Sequence, residues 1–314
     1  MRALPEAVAG VLWMAAAQLA FGAMSVLARV ATSHAAWPEV ACARTIVGAA
    51  VAFGVARLRG APLVVHDQRK AWARSLAGTC AMICVFYTLG APSVAIGDVV
   101  TLGATSPVFI ALLAPRMLGE RSDRRVWGAM AIAFAGAALV VGPRLEIAGH
   151  VAVVATIGAF CTAVAMIWLR RLGGEAGGRR ESPEAVALHF SLVASVATGV
   201  IAARSWSSPD PVGWVLLGAT GLAGGLGQLA MTRAYALDRA ARVGAVGYLG
   251  VVVTHLLGAL VLGERPTLAS AVGSTLVIAA GIGLAIGALR PSRTPAPLAP
   301  RVEVRATPVP PVAS

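Results

Sequence analysis

The 314-residue chain is 58% hydrophobic and 13% charged, and it carries a net charge of +12. Soluble domains average about 45–50% apolar and about 25% charged residues, so this composition excludes a water-soluble globule. The positive charge does not indicate a nucleic-acid binder either, because the arginines stand between apolar blocks and not along one face.

In chain order the apolar blocks run over Ala7–Leu27, Val40–Ala56, Ala71–Leu89, Val99–Ala114 and Val126–Gly142. A second set follows at Val151–Leu169, Ala185–Ala203, Val212–Met231, Val243–Leu262 and Leu268–Leu289. A bilayer core of about 30 Å takes about 20 helical residues, and helices satisfy every backbone group internally. Barrel strands are ruled out, since they are near ten residues long and alternate apolar with polar. The first block is too long for a signal-peptide core and is expected to be an uncleaved first helix. The tail from Arg290 holds Pro291, Pro295, Pro297, Pro300, Pro308, Pro310 and Pro311, and is expected to be disordered because it has little apolar surface to bury. Cys42, Cys80, Cys84 and Cys161 all lie inside apolar blocks without CxxC spacing, which argues against a disulfide framework or a zinc site.

Ten alternating helices with a cytoplasmic N-terminus place 21 of the 26 Lys and Arg residues in inside segments, as cytoplasmic loops prefer. Arg29, Arg144, Arg204 and Arg265 fall outside, and Arg44 falls within the second helix. The chain also repeats itself. Leu-Gly-Glu-Arg occurs at Leu118–Arg121 and again at Leu262–Arg265, and Gly128, Gly136 and Gly142 match Gly273, Gly281 and Gly287. Pro38-Glu39 precedes Arg44 as Pro183-Glu184 precedes His189. Five helices is an odd number, so the second copy must be inverted. The expected fold is therefore all-α integral membrane: ten transmembrane helices as two inverted five-helix repeats, over residues 7–142 and 151–289, with residues 290–314 as a cytoplasmic tail. Inverted repeats with a site at their interface are the architecture of secondary transporters.

The stretches TSPVFIALLAPRMLGER, LGQLAMTRAYAL and LGALVLGERP, set in this repeat, resemble the EamA family of the drug/metabolite transporter superfamily. The resemblance covers residues 7–289. It implies secondary-active movement of small metabolites such as amino acids, S-adenosylmethionine or riboflavin across the bacterial inner membrane, frequently as export. The segment Gly224–Tyr248 looks most like the branch that includes S-adenosylmethionine-type carriers.

Ionisable and polar side chains at membrane depth need a partner or a cavity. The candidates for substrate contact are Gln18, Arg44, Tyr87, Thr101, Thr105, Gln228, Tyr248 and His255. Arg44 stays charged and offers a planar fork to a carboxylate or phosphate; bracing of its helix is the alternative. Tyr248 and His255, seven apart, should share one face of the ninth helix, where the first half has only Ala104 and Ala111. Gln18 and Gln228 cannot face lipid unpaired. Thr101 and Thr105 lie one turn apart, and Pro107 and Pro115 are expected to break the fourth helix and free carbonyls. Gly221 and Gly225 should let two helices approach closely. His189 reads as a hydrogen-bonded structural histidine.

With no Asp or Glu deep in a span, catalysis is disfavoured, and no cofactor or metal is expected. The reading is a secondary-active transporter of a small polar metabolite, an amino acid or related compound, with export implied by the resemblance. An uptake carrier for an S-adenosylmethionine- or riboflavin-like compound is the alternative, ahead of a membrane enzyme or a sensor. Its partners are the substrate and the lipid bilayer, with a proton as candidate coupling ion and no nucleic acid.

Overall fold

A computed structural model describes residues 5–89, 103–120, 122–141, 149–173, 180–204, 206–262 and 267–289. Among these residues there are eleven helices and no strand: α1 (Glu6–Ala31), α2 (Trp37–Arg59), α3 (Gln68–Leu89), α4 (Ser106–Leu118), α5 (Arg124–Val141), α6 (Gly149–Gly173), α7 (Pro183–Ala202), α8 (Pro211–Leu237), α9 (Ala240–Val246), α10 (Leu249–Leu262) and α11 (Leu268–Leu289). Seven described spans are long and apolar enough to cross a membrane, and α9 with α10 forms one of them. Thr101, the second Leu-Gly-Glu-Arg beyond Leu262 and the Pro-rich tail lie outside the described residues.

Local chemistry sets the helix ends. Pro38, Pro183 and Pro211 occupy first-turn positions, where a missing N–H costs nothing. Asp210 caps α8 by accepting from Gly213 N at 2.8 Å, and Glu39 accepts from Ala36 N at 3.2 Å. Gly60 and Gly119 end α2 and α4 at φ +62° and +69°, a conformation in which a Cβ is strained. The fourth helix is interrupted by a turn at Ala104 and Thr105, just before Pro107. Pro107 then sits in the first turn of α4, whereas Pro115 does not break the helix, which runs on to Leu118.

Close pairs fix the directions. Along α1, Gly10 meets Asp238, Phe21 meets Gly227 and Met24 meets Gly224, so α1 and α8 are antiparallel. Gln18 meets Gly250 and Gly22 meets Val253, so α1 and α10 are parallel. Cys42 lies by Gly199 and Gly48 by Ser191, which makes α2 and α7 antiparallel. Cys80 lies by Cys161 and Cys84 by Gly158, so α3 and α6 are too. The packing maps onto itself when the halves are exchanged. The α1–α8 contact becomes α6–α3, α2–α8 becomes α7–α3, and α1–α10 becomes α6–α4, while α2–α7 and α5–α11 map onto themselves. This is the two-repeat inverted fold, with α4 as the fourth helix and α9–α10 as the ninth. Leu19, Val196, Val215 and Leu260 on the outside are strongly exposed, as a lipid-facing belt requires.

Candidate functional site

The seam between the halves is built around a break in the ninth helix. Gly247 and Tyr248 separate α9 from α10, and the backbone there tightens to i→i+3 bonds, including Gly247 N to Gly244 O at 2.9 Å and Gly250 N to Gly247 O at 3.0 Å. Tyr248 therefore lies in the turn that leads directly into α10, and His255 lies two turns further along that helix. The first half turns at the same repeat position, at Ala104 and Thr105 just before α4. The two broken helices meet, with Gly244 against Ile110 and Pro107 at 3.2 and 3.7 Å from where a Cβ would stand. Tyr248 is 2% exposed and lies edge-on to Phe134 at 6.3 Å. Its hydroxyl and His255 Nε2 are buried without a hydrogen-bond partner in the protein. Each such atom costs about 1–3 kcal/mol.

The other candidates divide. Gln18 Nε2 reaches only the Met14 sulfur at 3.7 Å, and its amide packs on Gly250 of α10. Gln18 and the Tyr248 turn therefore belong to one region. Gln228 is buried and donates to Thr232 Oγ1 at 3.3 Å on its own helix, one turn from Gly224 and on the same face. Thr105 is half-buried, and its carbonyl accepts from Val108 N and Phe109 N. Tyr87 stands apart: it is 39% exposed and sits edge-on to Trp37 at 6.2 Å, at the far end of the bundle. Gly221 and Gly225 bring α8 onto Val47, Gly48 and Val51 of α2.

Arg44 is 8% exposed. Its Nη1 donates to Met82 Sδ at 3.1 Å, a weak acceptor, and its Nε has no partner. Across α7 and α3 lies a second buried guanidinium, one that charge counting places in an inside segment: Arg74, 1% exposed, with Nε and Nη1 unpartnered. Both guanidiniums approach the Phe190 ring, Arg74 at 4.1 Å and Arg44 at 5.8 Å from its centroid. Cation–π contacts of this kind contribute about 2 kcal/mol when desolvated, less than the several kcal/mol of burying each ion. His189 shares a hydrogen bond with Ser75 Oγ, 2.9 Å away, and packs edge-on to Trp72, as a structural histidine does. Sequence reasoning missed Arg74, Phe190 and Met82. The available signal was Arg74 with Gly78 one turn later inside an apolar block, since a side chain at Gly78 would strike the Arg74 guanidinium.

The end of the bundle carrying Glu6, Arg59 and Arg180 is tied by ion pairs. Glu120, following the α4 cap Gly119, accepts from Arg170 Nε at 2.7 Å and Ala240 N at 2.9 Å. Glu184 holds Arg233 at 2.6 Å. Glu181 accepts from His66 N and Asp67 N, each at 3.0 Å. Burial pushes the Glu181 carboxyl up, but these backbone donors and the His66 ring outweigh it and hold it below the usual carboxylate range. Burial instead wins at Asp238, whose carboxyl is raised despite Arg242 at 3.5 Å. The opposite end has fewer charges; there His34 meets Asp210 at 2.9 Å and Ser207 N donates to Glu39 at 2.8 Å. Among the described residues no cluster of His, Cys, Asp or Glu is arranged to hold a metal ion.

Residues 8–142 and again 150–286 match the EamA-like transporter family. Over 277 residues the chain is 27% identical to the pseudopaline exporter of Pseudomonas aeruginosa, covering 88% of this chain and 95% of that protein. It is also 27% identical over 293 residues to the riboflavin transporter of Rhizobium johnstonii, covering 93% and 95%. A crystal structure of a protein 18% identical superposes with a TM-score of 0.75 over 90% of this chain and 99% of its own. That likeness shows the shared fold.

Proposed function

Because the chain belongs to the EamA-like transporter family, we propose that it exports a small polar metabolite, an amino acid or related compound, by secondary-active alternating access. It is a membrane transporter and not an enzyme. The proposal adds the cargo, the direction and the setting: a bacterial inner membrane, both termini cytoplasmic, repeats over residues 7–142 and 151–289, and a proton as the candidate coupling ion.

The observation that carries a polar cargo is the broken ninth helix. It buries the Tyr248 hydroxyl against Phe134 of the other half with no hydrogen-bond partner in the protein, and His255 Nε2 on α10 is likewise buried without one; a polar substrate would supply it. Broken helices at the repeat interface are where such carriers bind their cargo. Gln18, Arg44, Thr105 and Gln228 are proposed to share this site, with Thr101 and Tyr87 as candidates from sequence. Similarity to a named exporter supports export. Similarity to a named riboflavin transporter supports uptake of a flavin-like compound as the second reading.

Metabolite profiling of cells and medium, with and without overexpression, separates the two. Export predicts a compound enriched in the medium and depleted in the cells. Rescue of a riboflavin auxotroph at limiting riboflavin, with an unchanged medium, would replace the first reading by the second.

A further inference from the structure

Two guanidiniums share one aromatic ring inside the bundle, and none of the described carboxylates pairs with either. Arg44 comes from α2, Arg74 from α3 and Phe190 from α7, so three helices of both halves converge here. The unpartnered donors are Arg44 Nε, Arg74 Nε and Arg74 Nη1. Among the described residues neither arginine takes part in an ion pair, and the nearby carboxylates are engaged elsewhere. Glu39 holds Ser207, Glu181 holds His66, and Glu184 holds Arg233. An arginine cannot shed its proton to escape this. Two glycines shape the room around the pair: a Cβ at Gly224 would stand 3.0 Å from Arg44 Cγ, and one at Gly78 would meet Arg74 and, at 3.1 Å, Phe190. Like charges gathered in a low dielectric repel, and charge-assisted hydrogen bonds to an anion relieve both the repulsion and the idle donors.

We propose that Arg44 and Arg74 form an anion-binding pair for a substrate bearing a carboxylate or phosphate, with Phe190 as the surface on which that group is held. This rests on the transporter reading and narrows its cargo to anionic metabolites. Phe190 keeps the guanidiniums from parting, so a single anionic group, or two on one small molecule, can bridge them. The forked geometry of arginine suits both.

The test is thermal unfolding of the purified full-length protein in neutral detergent, with sodium citrate, sodium glutamate or sodium phosphate as probes at millimolar concentration. Sodium chloride at matched ionic strength and sorbitol at matched concentration serve as controls. The expected result is a rise of several degrees in Tm with at least one of the anions and none with the controls. The rise is retained in Thr156→Ala, on the exposed face of α6, and lost in Arg44→Gln and Arg74→Gln. Should those variants fail to fold, Met82→Glu decides. It sets a carboxylate beside Arg44 Nη1 and is expected to raise the Tm without ligand while abolishing the response to anions. A purely bracing role for the arginines allows the first effect but gives no anion response to abolish. No rise with any anion, or a rise that persists in Arg44→Gln or Met82→Glu, overturns the proposal. Stabilisation by phosphatidylglycerol in nanodiscs but by none of the soluble anions would assign the pair to lipid headgroups and overturn its substrate role. A neutral compound transported by vesicles that ignore all the anions would overturn the anionic cargo and leave the transporter reading standing. Anion binding without transport of any compound would do the reverse.

Discussion

Gly136 on α5 and Gly273 on α11 allow two helices to touch through their backbones, and alanine at either position should force them apart. A Cβ at Gly136 would lie 2.7 Å from the Gly273 carbonyl oxygen and 3.0 Å from Leu276 Cβ. A Cβ at Gly273 would lie 2.8 Å from Val140 N and 2.9 Å from Leu139 Cβ. Such atoms sit comfortably at about 3.5 Å, so these distances fall short by roughly 0.5–0.8 Å. The opposing atoms include backbone, so no rotamer relieves the clash and the helices must separate. A gap of that size forfeits about a quarter to a half of each dispersion contact, and overpacking of this kind costs about 1–3 kcal/mol. Alanine recovers about 0.5–1 kcal/mol of that through its better helix propensity. Gly128 on α5 and Gly283 on α11 have nothing within 4 Å of where a methyl would stand, so alanine there keeps the gain alone. The two pairs of variants should therefore differ by about 2 kcal/mol, read as the temperature at which purified protein loses its monodisperse peak. The double variant Gly136→Ala/Gly273→Ala should cost less than the sum of its parts, because both press on one crossing. Equal stability of Gly136→Ala, Gly273→Ala and the two controls would refute the close crossing.

Glu181→Gln should remove an acid-sensitive component of stability. The folded carboxyl is held low, so its contribution is present above the unfolded value of about 4.3 and is lost as pH falls through the lower folded value. Thermal unfolding from about pH 6 down to about pH 3 should show a shallower acid limb in the variant; an unchanged limb would remove Glu181 from that role. Glu120→Gln weakens the bonds from Arg170 and Ala240 N and should lower stability by about 1.5–3 kcal/mol, whereas a change within about 0.5 kcal/mol would make the contact incidental. For the proposed orientation, cysteines placed singly at Arg69 and Ser208 of a cysteine-free background are compared in intact cells. A membrane-impermeant maleimide should label only the Ser208 position, and labelling at Arg69 would invert the topology.

The sequence was most informative where the signal is local and additive. Hydropathy of each span, the charges of the segments between spans and the recurrence of Leu-Gly-Glu-Arg sufficed for a ten-helix inverted repeat, and helix directions read from contacts such as Cys80–Cys161 and Gly22–Val253 agree with it. Gly221 and Gly225 were legible for the same reason, since a glycine spacing implies close approach whatever the partner. The fourth helix was less so: Pro107 and Pro115 carry the same local signal, yet only Pro107 stands at a break, and only the neighbouring fold chooses. The polar candidates were legible as a set but not as a site. Gln18 and Tyr248 come to one region, while Tyr87 lies against Trp37 at the far end.

What the sequence by itself determined is which segments enter the membrane, in what order and with what symmetry, because a bilayer selects on composition over a whole span. What only the tertiary structure decided is which face of each span meets which. Arg74 shows the difference. Six residues into α3, near the charged Arg69 and Lys70, it reads as part of a loop-side basic cluster. Its burial against Phe190 and its proximity to Arg44 depend on α2, α3 and α7 converging, a packing relation among residues from 30 to 146 positions apart that no local pattern encodes.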